Sequence, residues 1–214
     1  MPFYAKLDGA TRERFLEQLK VFVWEKAFIG AGGQEIDDEV RVVVSAAAVR
    51  LTLALDLSYY DRLTEIIVYP DAYRHPEVDG WVFGEAHHWG TVVLAWESVL
   101  QGLANPDDGH ETATHEFAHV LDRAAGAFDG TPELRARADY RPWAEVMSRN
   151  YLALRRGSRR ARRVLRDYGA INEAEFFAVA TEAFFEKPSQ MREHAPGLFA
   201  ELERFYGSDP LHKN

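Results

Sequence analysis

His115-Glu116-Phe117-Ala118-His119 is the stretch on which the reading of this chain turns. It lies within residues 112–125, where Thr112, Ala113, Val120 and Leu121 suit a partly buried helix that stops near Gly126. On a helix, positions i and i+4 sit one above the other on the same face. Two imidazoles so placed can both reach one zinc ion, at about 2.0–2.1 Å. Glu116 projects beside that ion. A glutamate there can take a proton from water held at the metal, whose pKa zinc lowers to about 7.

A catalytic zinc needs a third protein ligand and an open position. The chain has no cysteine, so the third ligand is a His, an Asp or a Glu. His110 stands five positions before His115, on another face and in a turn. Asp122 is three past His119, placed to hydrogen-bond a ligand or to hold a loop. The richest source is residues 172–182, with Glu175 and Glu182 seven apart on one helix face. At a 1.5 Å rise per residue they are about 10.5 Å apart along the axis, so only one can ligate. The other would orient an imidazole from behind. Spacing leaves open which does which.

Composition bounds the rest. The 214 residues carry 25 Lys+Arg against 34 Asp+Glu, a net charge of −9. That length suits one domain with a core of its own. The acidic balance argues against direct nucleic-acid binding, which needs a basic face. The absence of cysteine excludes a disulfide scaffold and a thiol nucleophile. No stretch approaches the ~20 apolar residues of a membrane helix. The first 19 residues carry Glu13 and Glu17 and lack the apolar stretch of a secretory signal. The expectation is a cytoplasmic protein with no membrane partner.

Periodicity supplies the expected elements. Helices are predicted over residues 11–28, 40–57, 112–125, 132–156 (one or two), 172–185 and 196–206. Short β-branched runs at 65–69, 81–85 and 90–96 read as strands. Helices, then a few strands, then helices is an α+β order. The predicted architecture is mostly helical, with a small sheet beside the metal-binding helix. It divides into a helical part over about residues 1–60 and a catalytic part over about 61–214 of one domain. The strand at 90–96, just before the metal helix, is expected to be a sheet edge on which an extended peptide pairs. Val92, Val93 and Leu94 are then its substrate-binding residues.

The motif His115-Glu116-Phe117-Ala118-His119-Val120-Leu121-Asp122 is followed by Tyr168 and by Asn172-Glu173-Ala174-Glu175-Phe176-Phe177-Ala178. This set resembles the Mlc titration factor A family of zinc peptidases, and more distantly the catalytic domain of anthrax lethal factor. Ile66-Ile67-Val68-Tyr69-Pro70, Gly90 to Trp96, Ala180-Thr181-Glu182-Ala183-Phe184-Phe185 and Asp209-Pro210-Leu211 extend the likeness along most of the chain. The resemblance implies a zincin-like (gluzincin) fold and an aminopeptidase-like activity on peptide substrates. It implies that His115, His119 and Glu175 hold Zn2+ and that Glu116 is the general base. Tyr168 is implied to stabilise the oxyanion, with Glu182 and Asp122 behind the ligands. It also implies a transcriptional repressor as a second partner, in a regulatory binding role that would use zinc partly for structure. The pair His87-His88 departs from the family pattern.

Other conspicuous residues read as ordinary. Phe176, Phe177, Phe184 and Phe185 have core spacing. Trp24, Trp81, Trp89, Trp96 and Trp143 read as core or groove wall. His75, His87, His88, His194 and His212 lack partner spacing. Residues 155–166 hold seven arginines and read as a solvated face or a mobile loop.

Overall fold

The computed structural model describes residues 3–72, 83–87 and 90–211, without the His87 side chain. Expectations for Trp81, Val82, Trp89, His75, His88 and His212 lie outside the described residues. Helix α1 (Gly9–Glu25) leads into strand β1 (Ala27–Gly30), helix α2 (Asp38–Thr52) and strand β2 (Glu65–Tyr69). Strands β3 (Gly84–His87) and β4 (Thr91–Ala95) follow, then helices α3 (Trp96–Ala104), α4 (Thr112–Ala124), α5 (Tyr140–Arg155), α6 (Glu173–Glu186), α7 (Pro188–His194) and α8 (Pro196–Tyr206). The result is a mostly helical α+β arrangement around one small mixed sheet. No helix among the described residues is long and apolar enough to cross a membrane.

The sheet order is β1-β2-β4-β3. β1, β2 and β4 run parallel, and β3 is antiparallel to β4. Strand β1 replaces the last turn expected of the first helix. α1 stops at Glu25, Lys26 is extended, and Ala27 pairs with Glu65. The Lys26 ammonium donates to the Tyr60 carbonyl at 2.9 Å and pins that exit. The pairing is with residues nearly forty positions away, so local periodicity carries no trace of it.

The expected sheet edge at residues 90–96 is corrected by this topology. β4 is flanked by β2 and β3, and Val92, Val93 and Leu94 are buried. A strand covered on both faces reads as an unbroken apolar run, which is what Val92 to Ala95 is. Its backbone is spent on two neighbours, so no peptide can pair there. Beside it, among the described residues, the free edge is β3. Ala95 N–H donates to the Phe83 carbonyl at 2.9 Å, so Phe83 and Glu85 point their backbone groups at β4. By alternation, Gly84 and Ala86 point theirs outward.

The core joins the sheet to the helices. α2 buries Val40, Val44, Ala47, Ala48 and Leu51, which outweighs the poor helix propensity of its valines. Phe22 of α1, Tyr60 and Phe117 of α4 pack edge to face, with centroids 5.3–6.0 Å apart. The Tyr60 hydroxyl donates to the Ala48 carbonyl at 2.9 Å. Trp143 of α5 packs on Phe177 of α6 and donates from its indole to the Gly130 carbonyl. Together these contacts fix the rotation of α4 against α6.

Candidate active site

α4 has two faces with different tasks. Ala113, Phe117 and Leu121 recur every four residues and are fully buried. Their anchoring turns His115, Glu116 and His119 to the opposite side, toward α6 and β3. There all three are still covered, at 7%, 6% and 5% exposure.

α6 begins where Asn172 Oδ1 accepts the Glu175 N–H at 2.8 Å. That cap sets Glu175 in the first turn, where the positive helix end favours a carboxylate. Glu175 Oε2 lies 3.0 Å from His115 Nε2 and 3.5 Å from His119 Nε2. One ligand atom from each of the three residues lies within 4.8 Å of the others. One turn of α4 and the start of α6 thus converge on one point.

Glu182, two turns on, has no solvent exposure. Its Oε2 lies 3.1 Å from His115 Nδ1 and accepts from the Arg166 guanidinium at 2.5 Å. Its Oε1 accepts the Glu111 N–H at 2.9 Å. The seven-residue spacing on α6 therefore separates two tasks: Glu175 faces both imidazoles, and Glu182 holds one from behind. Asp122 is buried as well. Its Oδ2 accepts the Gly130 N–H at 2.9 Å and so ties down the loop after α4. Among the described residues, His119 Nδ1 and Asp122 Oδ1 are buried without hydrogen-bond partners.

Electrostatics show what the cluster lacks. Burial works to lower His115, but hydrogen bonds to Glu175 and Glu182 outweigh it and raise its pKa to about 10. Burial works to raise Glu175, but the two imidazoles hold it at about 2. Burial lowers His119. A proton on His115 thus supplies the positive charge that the carboxylates demand. A divalent cation supplies positive charge at the same place, and two imidazole nitrogens with a carboxylate oxygen are a donor set that zinc takes. The residues fit a metal ion.

Glu116 stands beside this cluster. Burial lifts its pKa to about 7, opposed by His115 and reinforced by Glu175, Glu182 and Glu85. Strand β3 closes over it: a Cβ built on Gly84 would sit 2.7 Å from Glu116 Cγ and Oε1. Tyr168 lies in a short 3-10 turn (Asp167–Ala170), half exposed, with its ring 5.7 Å from that of His115. Burial raises its hydroxyl pKa, and the Glu175 and Glu116 carboxylates add to the rise. The structure therefore brings His115, Glu116, His119, Tyr168 and Glu175 together, and keeps Val92, Val93 and Leu94 in the core.

Several neighbours were not singled out by sequence. Arg166 reads as the last member of an exposed arginine run, yet it pairs with buried Glu182. The signal was available: it follows Val164 and Leu165, both buried. Gly84 and Phe128, whose ring packs 5.1 Å from that of His119, left no pattern to find.

A family model described as glucose-regulated metallo-peptidase M90 matches residues 1–207. An uncharacterized protein of Synechocystis sp. is 37% identical, over 99% of this chain and 82% of its own length. Mlc titration factor A of Edwardsiella ictaluri is 27% identical, over 100% of this chain and 86% of its own. The namesake from Serratia proteamaculans is 25% identical, over 99% and 85%. With a match that runs from the first helix through the last, and relatives aligned along nearly all of it, the chain belongs to the glucose-regulated metallo-peptidase M90 family.

Proposed function

We propose that the chain is a zinc-dependent peptidase of gluzincin type, working as one domain and cleaving peptides in an aminopeptidase-like manner. The observation that carries this is the convergence of His115, His119 and Glu175 beside a buried Glu116. A purely structural site has no use for a carboxyl group poised near neutrality next to its ligands.

His115, His119 and Glu175 would hold the ion, with Glu182 fixing the His115 ring. A bound zinc ion supplies Lewis acidity to the attacking water and to the scissile carbonyl. Glu116, with its pKa near 7, takes a proton from that water and passes it to the leaving amine. The Tyr168 hydroxyl donates to the carbonyl oxygen as negative charge builds there. The substrate backbone lies along β3, on the outward groups of Gly84 and Ala86, which places the peptide bond over Glu116. In this reading the N-terminal helices are part of the same unit, which the packing of Phe22 on Phe117 of the metal helix supports.

The test is cleavage of an amino-acid nitroanilide before and after chelation, beside metal analysis. Glu116→Gln is expected to keep its zinc and lose about 10²–10⁴-fold in turnover. Wild-type turnover in that variant would remove Glu116 from the chemistry.

A second role is suggested by the name of the relatives, Mlc titration factor A. Carried to this chain, it is the binding of a repressor protein. Retention of such a protein by both wild type and Glu116→Gln is the expected outcome of a pull-down. Loss of the interaction on Glu116→Gln would tie it to turnover instead.

A further inference from the structure

Away from the metal cluster, charge is unevenly placed along the chain. Residues 149–166 hold eight arginines and no Lys, Asp or Glu, while the rest of the chain carries 17 Lys+Arg against 34 Asp+Glu. Arg166 turns inward to Glu182. The other seven are exposed. An ordered turn presents them. Val164 and Leu165 are buried and anchor its end. Gly157 has a φ of +74°, which lets the chain reverse after α5. Ser158 then joins the two halves: its N–H donates to the Ala153 carbonyl at 3.0 Å, and its carbonyl accepts the Arg162 N–H at 3.0 Å. Arg160 donates to the His194 carbonyl at the end of α7, at 2.6 Å. On α5, Arg149, Leu152 and Arg156 fall at i, i+3 and i+7 on one face, and Leu152 is 41% exposed.

Few of these charges are met within the chain. Arg162 pairs with Asp167 at 2.7 Å, and Arg155 lies over the Tyr151 ring. The neighbouring acids Glu145 and Glu193 face Arg141 and His194. Among the described residues, the side chains of Arg149, Arg156, Arg159 and Arg163 make no ion pair or hydrogen bond. Like charges crowded together repel and bring the fold no stability. All of them are arginines, whose planar fork takes a carboxylate through two parallel hydrogen bonds, as lysine does not. A nucleic acid carries charge along its whole length and would run from this face onto the acidic remainder of the surface. A short run of carboxylates stays within it.

We propose that this face docks an acidic segment of a partner protein, with Asp or Glu carboxylates on Arg149, Arg156, Arg159 and Arg163 and an apolar residue against Leu152. It uses no residue of the metal cluster, so it stands apart from the peptidase reading.

Three fluorescent probes test it by anisotropy with the zinc-loaded chain: an N-acetylated peptide of Glu-Glu-Leu repeats, its Gln-Gln-Leu counterpart, and a single-stranded oligonucleotide of equal charge. The Glu peptide is expected to bind about tenfold more tightly than the Gln peptide, and less tightly as salt is raised. Arg159→Glu combined with Arg163→Glu should weaken it about tenfold. Lys6→Glu combined with Lys20→Glu makes the same change in net charge at two exposed lysines elsewhere and should leave it within about twofold. If the arginine reversal does not fold, Arg149→Gln combined with Arg156→Gln takes its place, with a loss of about threefold expected. Equal affinity for the two peptides, tighter binding of the oligonucleotide than of the Glu peptide, or equal losses in the arginine and lysine variants would each overturn the proposal. So would a dimer of the chain alone, seen in sedimentation, that the arginine reversal dissolves, since the face would then serve a second copy. No turnover is read, so failure here is separate from failure of the peptidase reading.

Discussion

Glu182 shows how much one buried side chain organises. It takes donors from α4, from the turn before α6 and from the backbone at Glu111. Glu182→Ala would take the carboxylate from the Arg166 guanidinium, which keeps its bond to the Gly109 carbonyl, and free the His115 ring. Removing one member of a buried ion pair costs about 3–5 kcal/mol. Loss of a group behind a metal-bound imidazole costs about 10–100-fold in metal affinity. Calorimetry and zinc competition against a chelator should show both losses together; unchanged zinc affinity would mean that His115 needs no support. At this scale much of the cluster was legible. The two histidines follow from i,i+4 spacing alone. The division between Glu175 and Glu182 does not, because spacing places both on one face, and only the docking angle of α6 brings Glu175 to the imidazoles.

At the scale of elements, β3 is where sequence reading and structure part. The strand at residues 90–96 was expected as an edge from its place just before the metal helix, but its unbroken apolar run is the mark of an enclosed strand. The edge itself is short and lies against α4 through Gly84. That contact has a measurable consequence. In Gly84→Ala the new methyl would press on Glu116 and on Thr112 Cγ2, which lies 2.9 Å from the Cβ position. Turnover is expected to fall about 10–100-fold, the scale for a misplaced catalytic group. Zinc content should stay at the wild-type level, because no ligand is touched. Full activity in this variant would show that β3 has room to move away from the helix. β1 is among the elements missed, with α3 and α7, since its four residues have no pattern of their own and form a strand only against β2.

For the whole molecule, buried acids make stability depend on pH. Burial pushes Glu186 up to about 8, helped by Glu111, Asp108 and Glu182 and opposed by Arg50. Its ordinary value is 4.5. Between these values the folded chain holds a proton that the unfolded chain has released. The contribution is complete below pH 4.5 and is lost as pH rises toward 8. Glu116, at about 7, and Asp122, at about 6, act in the same direction. The denaturation midpoint of the metal-free protein should therefore fall as pH rises over that range, and Glu186→Gln should remove part of the fall. A midpoint that climbs with pH in both proteins would contradict the assignment.

The sequence by itself determined that a helix carries two imidazoles and a carboxylate on one side, and that later helices supply acids at helical spacing. Those are local facts, set by periodicities of a few residues. It also carried enough family likeness to extend the reading along the chain. Only the tertiary structure decided which strand is the edge and that Arg166 turns inward; for the glutamates, spacing left the choice open, family likeness pointed to Glu175, and the docking of α6 sets it against the imidazoles. Each depends on pairing or packing between segments tens of residues apart, and no short-range pattern encodes such a distance.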